Sequence, residues 1–190
     1  MIHSIVNPLP AGISPDAEFL LDTNVLYFIH AGYLVSPTSP SAAKCAQYSS
    51  FVSNLLASGF CLCTTAANIQ ELLHLIEKKE YQLYCNNHRL STHPGPNFYS
   101  KKDYRGNSAE RAILARRLSV VLAQIESTYC IIDVALQKNG IKSFVGTFPT
   151  HRYDPIDYVV VEDNIAAGRI HFISDDRDFQ SDTRIQIWTA

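Results

Sequence analysis

The chain has 190 residues, of which 46% are hydrophobic and 18% charged, and its formal net charge is −2. This length and composition are ordinary for one soluble globular domain with a sizeable core. The N-terminus lacks the basic start and apolar run of an export signal, and no stretch is long and apolar enough to span a bilayer. We therefore expect a cytoplasmic protein with no membrane contact.

The first predicted element of the domain is a buried strand, the apolar run Glu18 to Leu21, which follows an N-terminal extension over residues 1–17. Asp22 ends this strand and is a favourable N-cap residue for a short helix behind it. The composition then predicts a loop, a helix, a strand and a further helix at 31–41, 42–57, 60–63 and 66–80.

The middle of the chain begins with a segment from Tyr84 to Gly106 that has no periodicity and contains His-Pro-Gly-Pro. We expect a basic loop insertion there. Asn107 precedes a long amphipathic helix, and Asp154-Pro155 is typical of a helix start. The remaining predicted elements are helices at 111–126 and 129–139, a strand at 143–145, a helix ending at Gly168, and strands at 170–174 and 185–188.

Strands that alternate with helices predict a single α/β domain over residues 18–190, with a central, mostly parallel sheet flanked by helices. In such sheets, ligands bind at the carboxyl ends of the strands. The position of acidic residues relative to the strand ends is therefore the most informative feature of this sequence.

Acidic residues follow two predicted strands and lie on two helices that start at the same edge of the sheet. A cluster of carboxylates in a low dielectric is hard to explain without a cation, and oxygen ligands favour Mg²⁺ or Mn²⁺. Two such ions can activate a water and stabilise the leaving oxygen of a phosphodiester. The acids in question are Asp22, Glu71, Asp157, Asp175 and Asp176.

Four segments in this order resemble the PIN domain: FLLDTN, TTAANIQEL, DPIDYVVVEDNIAAG and FISDDRDF. That family includes toxins of bacterial toxin–antitoxin pairs and ribonucleases of RNA processing. The resemblance implies a PIN-like fold over nearly the whole chain. It also implies a metal-dependent endoribonuclease whose products carry 5′-phosphate and 3′-hydroxyl ends.

The resemblance also assigns roles to individual residues. It implies that Asp22, Glu71, Asp157 and Asp176 are the catalytic, metal-holding acids, with Asp175 as a further candidate ligand beside Asp176. Ser174 matches a Thr or Ser that helps to hold the metal or the scissile phosphate, and Thr23 and Asn24 match residues that support the first acid.

Each acid also has a structural interpretation. Asp22 is suited to capping the helix behind it, and Asp157 is suited to complementing a helix dipole. Glu71 is compatible with an ordinary position on a helix surface. Asp154, just before Pro155, fits an N-cap better than a ligand.

Basic residues are concentrated in the middle of the chain. Between Glu77 and Val120 there are nine Lys/Arg against four Asp/Glu, and the remainder has seven against fourteen. Interleaved cations and tyrosines are typical of single-stranded nucleic-acid binding, although solvated helix faces or a protein contact explain them equally well. The candidates for RNA contact are Lys78, Lys79, Lys101, Lys102, Arg105, Arg111, Arg116 and Arg117, with Tyr99 and Tyr104 for stacking.

The five cysteines include none at C-x-x-C spacing, so the sequence favours buried free thiols over a zinc site. Cys61 and Cys63 alternate within an apolar run, which indicates one face of a strand.

The sequence therefore predicts a Mg²⁺- or Mn²⁺-dependent endoribonuclease acting on single-stranded or structured RNA. Two alternatives stay open: a PIN-fold RNA- or protein-binding module without turnover, and a structure-specific DNA nuclease. Because the resembling family includes toxins, a toxin role, a cognate antitoxin partner and a homodimer are further hypotheses.

Overall fold

The structure is a computed structural model that describes residues 1–6, 9, 12–91, 101–134, 138–147 and 152–190, with backbone alone at 88–91, 138–141 and 147. The six strands are β1 (Ile2–Ser4), β2 (Glu18–Leu21), β3 (Cys61–Thr65), β4 (Cys130–Ile132), β5 (His171–Ile173) and β6 (Gln186–Thr189). The helices are α1 (Thr23–His30), α2 (Ala42–Ala57), α3 (Ala66–Ser91), α4 (Lys101–Gly106), α5 (Ser108–Thr128), α6 (Lys138–Thr147) and α7 (Pro155–Ala166).

All six strands run parallel in the order β1-β6-β5-β2-β3-β4. The chain moves outward from β2 through β3 to β4, and then returns to the other side of β2 as β5 and β6. The strand order therefore reverses between β2 and β5, and a crevice at such a switch point is where open α/β sheets bind ligands.

Both faces of the sheet are covered by helices, as the apolar run in β2 predicts. Phe19 and Leu21 pack into a core on one face, formed largely with α1, α2, α3 and α5. Leu20 packs on the other face with Phe172 and side chains of α6 and α7. The predicted α/β class with a parallel sheet flanked by helices is confirmed.

Local signals place several helix ends correctly. The Asn107 side chain accepts hydrogen bonds from the backbone N–H groups of Ala109 and Glu110, and so caps α5. Gly59 and Gly168 follow α2 and α7 with φ of 82° and 79°, the left-handed conformation that glycine adopts readily. Among the described residues, no helix combines the length and apolar character needed to cross a membrane.

Two predictions about individual segments are wrong. The segment predicted as a helix at 129–139 contains β4, because Cys130–Ile132 pairs with β3 and this tertiary pairing overrides the helical pattern. Residues 143–145, predicted as a strand, lie in α6, where Phe144 packs against Tyr158. Residues 135–137, within the wrongly predicted helix, lie outside the described part of the chain.

The predicted loop at 84–106 is helical at both of its ends. Helix α3 continues to Ser91, and α4 occupies Lys101–Gly106, while residues 92–100 lie outside the described residues. The reason is packing: the rings of Tyr81 and Tyr84 lie 5.7 and 5.3 Å from that of Tyr104, which closes α4 against α3. The predicted N-terminal extension also contributes to the domain, because β1 pairs with β6.

Candidate functional site

The acidic residues predicted to form a site lie at the switch point of the sheet. Asp22 directly follows β2, and the segment Ser174 to Asp176 directly follows β5. These two strands are neighbours, with Leu21 in register with Ile173. The folded chain therefore brings two of the four matched segments together at one edge.

Asp22 is held in one orientation by hydrogen bonds to both carboxylate oxygens. Its Oδ1 accepts from the Thr23 backbone N–H at 2.7 Å, and its Oδ2 accepts from the Ser174 hydroxyl at 2.7 Å. Only 8% of the residue is exposed. The capping interpretation of Asp22 is also correct, since the residue is the N-cap of α1. Capping and a place in the site are therefore compatible.

Ser174 is fully buried and connects the two strand ends. Its hydroxyl oxygen donates to Asp22 and accepts from the Asp176 backbone N–H at 3.0 Å. Ser174 therefore orients Asp22, and the implied role of helping to hold the metal or scissile phosphate stays a prediction.

Glu71 enters the site from α3, roughly two turns after β3. The Thr23 hydroxyl donates to Glu71 Oε2 at 2.7 Å, and the Asn68 carbonyl lies 3.3 Å from the same hydroxyl. Thr23 therefore fixes a glutamate that is otherwise exposed to solvent. Asn24, the other residue expected to support Asp22, is half-buried at the second position of α1.

Asp157 enters from the first turn of α7. The side chain of Asp154 caps this helix by accepting from the backbone N–H groups of Ile156 and Asp157 at 2.8 and 2.9 Å. The assignment of Asp154 as a cap is confirmed. Asp157 is half-buried. The side-chain cap of α7 is formed by Asp154 and not by Asp157.

The acids act on one another electrostatically. Burial is the main cause that raises the pKa of Asp22 to about 6, and the charges of Glu71 and Asp176 raise it further, against the hydrogen bonds from Ser174 and Thr23. Burial also raises the pKa of Asp157 to about 8, with added repulsion from Asp154, Asp22, Glu71 and Asp176. A cation beside these side chains would favour their ionised forms.

The neighbouring residues Asp175 and Asp176 have different surroundings. Both oxygens of Asp175 lie 2.7 Å from Lys44 Nζ, and the Tyr48 hydroxyl donates to Oδ1 at 3.2 Å. Asp176 instead contributes to the repulsion at Asp22. The charge of Asp175 is therefore neutralised within the chain, whereas Asp176 belongs with the other acids. The prediction of Asp175 as a metal ligand does not fit this arrangement.

The carboxylates are spaced more widely than the ligands of a closed cage, and the region that they border is called the acidic cleft below. Within the described part of the chain, no three of the acids bring their carboxylate oxygens within 4.8 Å of one another. Beside Glu71, a cavity of about 250 Å³ lies between α3 and α7, lined by Gln70, His74 and apolar residues that include Val159 and Val160. The oxygen-only donor set fits a hard divalent ion, and the adjacent cavity offers room for part of a larger ligand.

The predicted RNA-contacting cations separate into two groups. Arg105 donates to both oxygens of Glu77 at 2.7 and 2.6 Å, Lys101 lies 3.8 Å from the same carboxylate, and Arg117 pairs with Glu80. These three side chains connect α4 and α5 to α3. Lys78, Lys102, Arg111 and Arg116 are exposed, and no ion pair is recorded for them with the described residues, while Lys79 is half-buried.

The stacking role predicted for Tyr104 is wrong, because only 2% of this residue is exposed. Its apolar contacts with tyrosines of α3 bury it. Tyr99, the other predicted stacking residue, lies outside the described residues.

Two residues that support the site were not singled out from the sequence. The hydroxyl of Thr64 and the side-chain amide of Asn68 both donate to the Leu21 carbonyl, at 3.1 and 3.0 Å. They fix the end of β2 immediately before Asp22. Both belong to the segment TTAANIQEL. Thr64 directly follows the predicted strand at 60–63, and a polar residue at that position was the signal from which a supporting role could have been predicted.

No protein-family model and no curated protein matches the sequence. Among solved structures, the chain is similar to a chain in the crystal structure of VapBC2 from Rickettsia felis bound to a DNA fragment from their promoter. The identity is 13%, the TM-score is 0.47, and the match covers 90% of this chain and 98% of the other. A similarity at this level assigns neither a family nor an activity.

Proposed function

We propose that this chain is a Mg²⁺- or Mn²⁺-dependent endoribonuclease that cleaves single-stranded RNA. The observation that carries the proposal is the burial of Asp22 and Asp157 near Glu71 and Asp176 at the switch point of the sheet. Burial, with added repulsion from the neighbouring acids, raises the pKa of both. The order of the four acid-bearing segments, which resembles that of PIN domains, supports the same proposal.

In this proposal Asp22, Glu71, Asp157 and Asp176 hold the divalent ions. When bound, such ions lower the pKa of water and stabilise charge on phosphodiester oxygens. Repulsion among the acids, of which Asp22 is buried, and an oxygen-only donor set make the cleft suited to hard cations.

The residues of the chain itself supply orientation and control of protons. Ser174 and the Thr23 backbone fix both oxygens of Asp22, and the Thr23 side chain fixes Glu71. With a pKa of about 8, the Asp157 carboxyl retains its proton at neutral pH in the metal-free protein and loses it when positive charge lies beside it. The cavity between α3 and α7 places an apolar wall and two polar side chains beside Glu71, where a nucleotide next to the scissile phosphate would fit.

The test compares wild type with Asp22→Asn on total RNA in the presence of Mn²⁺, with the cut ends mapped. We expect cleavage by wild type, products with 5′-phosphate and 3′-hydroxyl ends, and loss of cleavage in Asp22→Asn with its thermal unfolding retained. Full activity of Asp22→Asn would reject its assignment, and cleavage that resists EDTA would reject metal dependence.

Matched RNA and DNA oligonucleotides then separate the alternatives. Cleavage of DNA alone would favour a structure-specific DNA nuclease. Failure to bind Mg²⁺ or Mn²⁺ in a calorimetric titration would favour a binding module without turnover. Growth arrest on expression of the chain, relieved by Asp22→Asn or by a small co-expressed antitoxin, would assign it a toxin role.

A further inference from the structure

Three metal-ligating side chains lie together at the opposite end of the sheet from the acidic cleft. Glu18 opens β2, and Cys61 opens β3 in register with it. Cys63 follows two residues later on the same strand, so it faces the same side of the sheet as Cys61. One ligand atom from each of the three lies within 4.8 Å of the others. Glu18 and Asp22 are separated by roughly 13 Å along β2, so this group is distinct from the cleft.

The spacing of the two sulfur atoms matches a tetrahedral metal. The Sγ atoms of Cys61 and Cys63 are 3.9 Å apart. Two thiolates bound to one tetrahedral zinc ion at about 2.3 Å each are separated by about 3.8 Å. The strand therefore already holds the two thiols at the separation that such an ion requires.

The charges near this group also suit a divalent cation. Arg169, just after α7, donates from Nε to Glu18 Oε2, which leaves the other carboxylate oxygen available. Two thiolates and a carboxylate carry three negative charges, which Arg169 and one divalent ion would neutralise.

From this geometry we infer a zinc site in which Glu18, Cys61 and Cys63 are the protein ligands. The thiolate pair selects a borderline-soft ion such as Zn²⁺ over Mg²⁺. Cys61 is exposed and gives the ion a path from solvent, while Cys63 is buried in the core. The fourth coordination position is left to solvent or to Cys130, the exposed register partner of Cys63 on β4.

Binding replaces two S–H bonds by two Zn–S bonds, and each thiol proton is released to solvent. The site joins the amino ends of β2 and β3, and through the Glu18–Arg169 pair it connects them to the end of α7. A bound ion would therefore stabilise the fold without taking part in the acidic cleft.

The first experiment titrates the reduced full-length protein with Co²⁺ alone, in saturating Mg²⁺, and follows sulfur-to-cobalt charge-transfer absorption in the near ultraviolet. We expect one equivalent of Co²⁺ to produce this absorption, and Zn²⁺ to abolish it by displacement. Cys61→Ser alters an exposed side chain and should remove the absorption. Cys45→Ser, which changes a half-buried thiol on α2, is the matched control and should retain it.

The second measurement is thermal unfolding with and without Zn²⁺. We expect Zn²⁺ to raise the midpoint of wild type and Cys45→Ser, and to leave Cys61→Ser and Glu18→Gln unchanged. Absence of the charge-transfer absorption in wild type, or its persistence in Cys61→Ser, would overturn the inference. Neither result depends on RNA cleavage, so the zinc site and the nuclease proposal stand or fall separately.

Discussion

Two groups of charged side chains in this molecule have opposite electrostatic behaviour. On α3, Glu77 meets Arg105 and Lys101, and the hydrogen bond from Arg105 is the main cause that lowers the pKa of Glu77. At the carboxyl end of the sheet, Asp22 and Asp157 meet other acids, and burial and repulsion raise their pKa values. Glu77 has its counter-charge within the chain, whereas no basic side chain is among the main causes that shift the pKa of Asp22 or Asp157.

The comparison separates charges that hold the fold together from charges that are available to a ligand. The pairs made by Glu77 and Glu80 fasten α4 and α5 to α3. The same distinction applies within Asp175-Asp176, where Lys44 neutralises the first residue and the second faces the cleft. Sequence position alone does not distinguish these two aspartates.

The largest expected effect is on the rate of RNA cleavage, and it distinguishes Asp157, which has no basic partner among the described residues, from Asp175, which pairs with Lys44. Asp157→Asn should reduce Mn²⁺-dependent RNA cleavage by at least roughly 10²-fold, the order found when one electrostatic contact to the reacting group is lost. Asp175→Asn should keep the rate within several-fold of wild type. It should instead lower stability by about 1 kcal/mol, because Lys44 loses its partner. Steady-state cleavage of one RNA oligonucleotide and urea denaturation measure both effects.

Equal loss of cleavage in the two variants would contradict the separation of Asp175 from the site. An unaffected rate in Asp157→Asn would remove that residue from the catalytic set.

The next effect concerns the stability of the metal-free protein as a function of pH. Asp22 and Asp157 have folded-state pKa values of about 6 and about 8, both above their ordinary value of 3.8. The native state therefore binds protons more tightly than the unfolded chain, and this stabilisation is complete below about pH 4 and is lost as the pH rises to about 8. Since one pKa unit corresponds to about 1.4 kcal/mol, we expect Asp22 alone to account for about 3 kcal/mol.

Urea denaturation in EDTA across this range measures that loss. Asp157→Asn should remove the part of the dependence that lies above about pH 7, since Asp22, with a pKa of about 6, is already largely ionised there. Added Mg²⁺ should stabilise the wild type most at the alkaline end, because it favours the ionised carboxylates. A metal-free wild type that gains stability between pH 6 and 8 would show that the pKa values of Asp22 and Asp157 are not raised in the folded state.

An element of the fold could be predicted from the sequence when neighbouring residues determine it, and could not when it depends on pairing with distant segments. The strand before Asp22, the cap at Asn107 and the Asp154-Pro155 helix start rest on neighbouring residues, and all were predicted correctly. The three-residue edge strands β1 and β4 owe their existence to pairing with strands far along the chain. No local pattern distinguishes such short segments from loop or helix.

In the candidate site, too, local patterns could be predicted from the sequence and contacts between distant residues could not. Asp22 and Asp176 could be proposed because each follows a recognisable strand, whereas Glu71 and Asp157 were proposed because the four segments resemble those of PIN domains. The pairing of Asp175 with Lys44 joins residues 131 positions apart and could not be predicted. The burial of Tyr104 had the same origin, because it depends on how α4 packs against α3.

A smaller effect tests whether the ion pair between Glu77 and Arg105 stabilises the fold rather than contributing to RNA cleavage. Arg105→Ala should lower stability only slightly, because the arginine is largely exposed and solvent screens the pair. Glu77→Gln combined with Arg105→Ala should cost less than the sum of the two single changes. Urea denaturation at low and high salt measures this double-mutant cycle, with RNA cleavage followed in parallel. An additive result would show that the pair contributes no coupling energy.

The smallest effect concerns the cations that have no recorded partner among the described residues. If RNA crosses the exposed face of α5, Arg116→Ala should weaken binding of a single-stranded RNA by a few-fold. It should also reduce the slope of log K against log salt by about 1, as for the loss of one phosphate contact. Arg105→Ala is the matched control and should leave the slope unchanged, because its guanidinium is already paired with Glu77. Fluorescence anisotropy measures both slopes in an Asp22→Asn background, in which we expect no cleavage. Equal slopes for the two arginine variants would place the RNA on another face, and a larger change for Arg105→Ala would mean that RNA competes with Glu77 for this cation.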